Sequence, residues 1–139
     1  DAILDKKIRI YGPNFWRPLA HVDDISNACI TAIKSSKDVI SGEIYNVGHT
    51  KENYTKKMLA ETIQEFVPST EIEITESKTD LRTYKVSFDK IKNNLKFISK
   101  KTIRDSISDI LTEIEKGGLD PKASEFSNIS KLTERVRAF

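Results

Sequence analysis

Apolar residues recur along this chain with two different periods, and the two periods take turns. Ile8 and Ile10 flank Arg9 at the two-residue spacing of a strand, and Tyr11-Gly12-Pro13-Asn14 then supplies turn residues. Arg17 to Val22 reads as a second extended piece, and Pro18, which has no N–H to donate, confines its start to an edge or a loop. Ile25, Ala28, Cys29, Ala32 and Ile33 fall on one face of a helix, with Asp23 or Asp24 as its N-cap. Cys29 is expected to be buried there as a small hydrophobe. Glu43-Ile44-Tyr45-Asn46-Val47-Gly48 predicts a short, mostly buried strand.

A second helix is expected from about Thr55 to Val67, with Met58, Leu59, Ile63, Phe66 and Val67 as its stripe and Pro68 as its stop. Ile72 and Ile74 alternate with Glu71, Glu73 and Thr75 as a half-exposed strand. Ser87 is the expected cap of a short helix carrying Ile91 and Leu95. Thr102 and Asp105 have capping-box spacing, ahead of a helix with Ile103, Ile107, Ile110, Leu111 and Ile114 on one side and Gly117-Gly118 at its end. Beyond Leu119-Asp120-Pro121 the tail is polar, with Phe126, Ile129, Leu132, Val136 and Phe139 free either to dock or to fray. Strands alternating with helices predict α/β packing around a small sheet.

Charge narrows the choice of function. The 139 residues carry 23 basic and 21 acidic side chains, a net +2, with the basic ones scattered. That disfavours a nucleic-acid binder and leaves room for a local anion site. Cys29 alone excludes an intramolecular disulfide framework, and with only His21 and His49 a Cys/His zinc site is not expected. No apolar run approaches the roughly 18 residues that span a bilayer. The chain opens without a secretory pattern. A cytoplasmic protein with no membrane partner is therefore expected, and the sequons at Asn53 and Asn128 read as chance. The opening Asp1-Ala2-Ile3-Leu4-Asp5-Lys6-Lys7 looks like the end of an element, as in a fragment whose upstream half lies elsewhere.

Glycine occurs at 12, 42, 48, 117 and 118, which gives neither a dinucleotide loop nor a P-loop. The residues four beyond the tyrosines are Phe15, His49, Met58 and Phe88, so no Tyr-x-x-x-Lys acid/base pair is present. No catalytic and no cofactor-binding residue is therefore assigned. What remains suits binding. Trp16-Arg17-Pro18 puts a guanidinium on a stiff segment, and Asp80-Leu81-Arg82-Thr83-Tyr84 puts another beside an aromatic ring. Arg17 and Arg82 converging from separate segments would suit a diphosphate, whose oxygens match the guanidinium fork. The plain alternatives are surface salt bridges for the arginines, packing for Trp16, a hydrogen-bonded structural role for His21 and helix capping for Asp23 and Asp24.

Five stretches in register resemble the C-terminal half of the NAD-dependent epimerase/dehydratase family, the extended short-chain dehydrogenases that act on nucleotide sugars. They are Ile8-Arg9-Ile10-Tyr11-Gly12, Trp16 to Asp24, Glu43 to Gly48, Asn53-Tyr54-Thr55 and Asp80 to Ile91. The likeness covers about residues 2 to 116. It implies an α/β fold: the C-terminal portion of an extended short-chain dehydrogenase, a small mixed sheet with flanking helices, the Rossmann core lying outside this chain. By the same likeness residues 1–119 form a substrate-binding lobe and 120–139 a tail. Arg17 and Arg82 match the two diphosphate arginines. The segment from Val22 to Ile33 and the strand ending at Gly48 would pack on the Rossmann lobe, and Asn46 would hold local backbone. NAD or NADP would be bound by the other half of the parent enzyme and none by this fragment alone. A nucleoside-diphosphate sugar is the implied partner, and the parent pairs as a homodimer through its other half. Leu95-Lys96-Phe97 departs from the family's usual Leu-Gly-aromatic helix end. A stand-alone, non-catalytic module of the same shape is the competing reading.

Overall fold

A computed structural model describes residues 1–75, 82–117 and Ala123. Asp80, Leu81, Gly118, Asp120, Pro121 and the apolar tail residues named above lie outside the described residues. The chain divides into two compact units, Asp1–Ile107 and Ser108–Phe139.

In the first unit β1 (Lys7–Tyr11) pairs in parallel with β4 (Glu71–Thr75), with Ile8 opposite Ile72 and Ile10 opposite Ile74. Between them come β2 (Trp16–Pro18), α1 (Val22–Lys34), α2 (Lys37–Ile40), a 3-10 turn (Thr50–Glu52), β3 (Asn53–Thr55) and α3 (Lys56–Phe66). β2 and β3 form a separate antiparallel pair. α4 (Asp89–Leu95) and α5 (Ile103–Glu115) follow, and the boundary between the units falls within α5. Among the described residues the expected small sheet is thus two separate pairs of strands.

The turn after β1 forms as its residues dictate, with Gly12 at φ 60° and the Phe15 N–H donating to its carbonyl. Thr55 caps α3 by accepting the Met58 N–H at 3.1 Å. Thr102 and Asp105 close the expected capping box, each accepting the other's main-chain N–H, at 2.7 and 3.3 Å. Ser87 acts from one position earlier than expected: Phe88 holds the N-cap position of α4, while the Ser87 hydroxyl accepts the Asp89 N–H at 3.2 Å.

Three expectations fail, each for a physical reason. α1 is capped by neither aspartate; the His21 Nδ1 accepts the Asp23 N–H at 3.1 Å. Asp24, only 2% exposed, turns inward instead and accepts the main-chain N–H groups of Lys100 and Lys101 at 3.0–3.1 Å. Cys29 is exposed, because α1 buries only the face carrying Asp24 and Ala28. Glu43 to Val47 forms no strand and has no ladder partner among the described residues, and Ile44 is 82% exposed. Tyr45 and Val47, on its other side, pack on the core of Ala28, Phe88, Ile91 and Phe97. Gly48 follows at φ 151°, and an added Cβ there would lie 2.8 Å from the Phe88 ring.

Candidate functional site

A strand sends successive side chains to opposite faces, so Arg17 points away from Trp16 and Pro18 on β2. One edge of β2 is taken by β3, with Trp16 opposite Thr55, Arg17 opposite Tyr54 and Pro18 opposite Asn53. The other side is taken by the segment carrying the second predicted arginine. The Trp16 N–H donates to Thr83 Oγ1 at 3.0 Å, and the Tyr84 N–H to the Trp16 carbonyl at 3.5 Å. Arg17 Nη1 donates to the carbonyls of Trp16 at 2.7 Å and Arg82 at 2.6 Å. Its guanidinium carbon lies 5.5 Å from the centre of the Tyr84 ring, within cation–π range. Arg17 and the main chain of Arg82 are therefore neighbours, although 65 residues apart, and the Arg82 side chain is exposed.

Asn53 fastens the same segment further along. Its Nδ2 donates to the carbonyls of Thr50 at 2.9 Å and Val86 at 3.0 Å, and its Oδ1 accepts the Val86 N–H at 2.9 Å. Donor and acceptor thus face Val86 as a strand's peptide unit would. On this side of β2 lies an open groove of about 440 Å³ lined by Trp16, Asn53, Met58 and Lys85. The Lys85 ammonium sits 3.6 Å from the centre of the Trp16 ring, so Trp16 both packs and stacks a cation.

The charged groups around the pair are mostly occupied in holding backbone. His49 Nδ1 accepts the Lys51 N–H at 3.1 Å, so both histidines start a helical turn. Glu52 is buried and accepts the Ile103 N–H at 2.9 Å, a carboxylate at the positive end of α5. Burial, and then the charge and hydrogen bond of Glu52, push the Tyr54 phenol up, against a smaller pull downward from Arg104. Hydrogen bonds from Thr102 hold the Asp105 carboxyl below its ordinary range, and those from Arg9 and then Lys7 do the same for Glu73. Asn46 is exposed. Among the described residues no three His, Cys, Asp or Glu side chains gather in a way that could hold a metal, and no helix is long and apolar enough to cross a membrane.

Among the described residues the starts of α1, α3 and α5 are capped by side chains: His21 accepts the Asp23 N–H, Thr55 the Met58 N–H and Asp105 the Thr102 N–H.

No family model matches the sequence. Solved structures do match the fold. The L-threonine dehydrogenase of Phytophthora infestans superposes with a TM-score of 0.70 at 16% identity, over 84% of this chain and 39% of that one. The ADP-L-glycero-D-manno-heptose-6-epimerase of Helicobacter pylori gives 0.67 at 15% identity, over 82% and 34%. The RMD protein of Pseudomonas aeruginosa, solved with NADPH, gives 0.65 at 18% identity, over 83% and 38%. The fold is α/β and matches one part of each of these larger enzymes. The chain spans less than two fifths of the length of each of these proteins.

Asn53, Thr83 and Asp24 were not singled out as anchors by the sequence. The partners of Asn53 and Asp24 lie 33 and 76 residues away, so no local period marks them. A hint lay in Thr83, a hydroxyl between Arg82 and Tyr84 in a segment without strand alternation.

Proposed function

We propose that this chain is the substrate-binding lobe of an NAD- or NADP-dependent nucleotide-sugar epimerase or dehydratase, with Arg17 and Arg82 holding the diphosphate. The observation that carries the reading is the 2.6 Å bond from Arg17 to the Arg82 carbonyl, which puts two guanidinium-bearing segments side by side. Held there, the diphosphate fixes the sugar at a distance from its anchor, and binding energy far from the reacting carbon is converted into orientation. The nicotinamide cofactor, the acid/base group and the homodimer contacts belong in this reading to a second lobe outside the chain. The outer face of α1 supports such docking: Val22 is 67%, Ile25 44% and Ile33 80% exposed, in one stripe of the helix, and Ile44 is exposed as well.

Calorimetric titration of the full-length protein with UDP-, GDP-, CDP-, ADP- and dTDP-sugars tests the reading. Arg17→Ala and Arg82→Ala are each expected to weaken binding by about 1–3 kcal/mol. Undiminished affinity in both variants removes the arginines from the site. A second reading is favoured by the two carbonyls that already engage Arg17, and by the threonine dehydrogenase among the matching structures. In it Arg17 is a structural clamp and the substrate carries no diphosphate. Arg17→Ala would then lower the melting temperature while no nucleotide sugar binds, and L-threonine is the control ligand.

A further inference from the structure

We infer that Asn53 and Thr83 are positioning residues that set the aim of Arg82. The inference rests on the proposed diphosphate role of Arg82. Residues 82–86 have no strand assignment, so no regular ladder fixes their register. Two side chains supply that register instead. Thr83 Oγ1 accepts the Trp16 N–H at 3.0 Å, immediately after Arg82 and immediately before Arg17. Asn53 grips Val86 through both N–H and carbonyl at 2.9 and 3.0 Å, while its second amide hydrogen is anchored on the Thr50 carbonyl at 2.9 Å. Asn53 is itself paired with Pro18 across the β2–β3 ladder. Its carboxamide therefore ties the Arg82 segment to β3, the ladder partner of the strand that carries Arg17. Pro18 has no N–H, so it offers this segment no donor of its own. The carboxamide stands in for the missing ladder, with an oxygen facing a donor and a nitrogen facing two acceptors.

The consequence is positional. A guanidinium forks two bonds onto a diphosphate more effectively when the main chain that carries it is held in place. Neither Asn53 nor Thr83 needs to touch the ligand.

A double-mutant cycle on the full-length protein separates this role from general stability. The probes are UDP, GDP, CDP, ADP and dTDP, and the tightest of them is carried through every variant, with near-ultraviolet circular dichroism as the check on folding. Asn53→Ala and Thr83→Val are each expected to weaken binding about 5- to 50-fold in the parent protein, and by less than about twofold when Arg82 is already alanine. Thr83→Ser keeps the hydroxyl and is expected to bind as the parent does, which keeps the test alive if Thr83→Val does not fold. Equal losses with and without Arg82, or no loss beside a clear loss in Arg82→Ala, overturn the positioning role alone. An Arg82→Ala protein that binds all five nucleotides as the parent does overturns the diphosphate reading itself.

Discussion

Lys96 ends α4 in the left-handed region, at φ 55° and ψ 21°, where a glycine would sit without steric cost. The helix closes there all the same, and the lysine ammonium donates to the Asn93 carbonyl at 2.9 Å. Lys96→Gly is expected to stabilise the protein by about 0.5–1 kcal/mol in urea titrations, since relief of the Cβ clash outweighs an exposed hydrogen bond. Gly48 is the opposite case, because its backbone conformation and the Phe88 ring both exclude a Cβ. Gly48→Ala is expected to cost about 1–3 kcal/mol by the same measurement. Tyr54 gives a pH signature. Its phenol is raised in the folded state, so the stability it contributes is intact below the ordinary tyrosine value and is lost as pH climbs through the folded one. Melting temperatures measured into the alkaline range are expected to fall less steeply in Tyr54→Phe than in the parent.

Among the elements, α1 shows how one helix can serve two masters. Its inner face is short on hydrophobes and is held by Asp24, whose carboxylate satisfies two main-chain N–H groups of the segment before α5. Asp24→Ala leaves those donors without an acceptor and is expected to cost about 2–3 kcal/mol, read as a lower urea midpoint. The capping box of α5 behaves differently: the Asp105 carboxyl is held low, so its contribution is present above the ordinary aspartate range and fades as pH falls through the folded value. Most strands, helices and turns were legible in the residues because they are local matters of period and capping, as at Ile8, Ile10, Thr55 and Thr102. The face of α1 was not. Apolar spacing located a stripe at Ile25, Cys29 and Ile33, but could not say that it lies exposed rather than on the core. Glu43 to Val47 failed as well, since a strand needs a neighbour and this segment has none among the described residues. The arginine pair was legible as chemistry, whereas its fastening by Asn53 and Thr83 depends on contacts made across 33 and 67 residues.

Among the described residues several large apolar side chains are left exposed. Val22, Ile25, Ile33 and Ile44 lie exposed together with Cys29. The 139-residue chain made alone is expected to bind a hydrophobic dye such as ANS, and Ile25→Ser with Ile33→Ser is expected to lower that signal without lowering the melting temperature. A parallel pairing also shapes how such a molecule comes into being. β1 has its β4 partner 64 residues downstream, so that ladder cannot close until Glu71–Thr75 has left the ribosome. At about 5–20 residues per second, roughly 3 to 13 seconds of translation separate the two strands. For that interval Ile8 and Ile10 lack their cross-strand partners Ile72 and Ile74, and chaperone binding at β1 should rise when elongation is slowed.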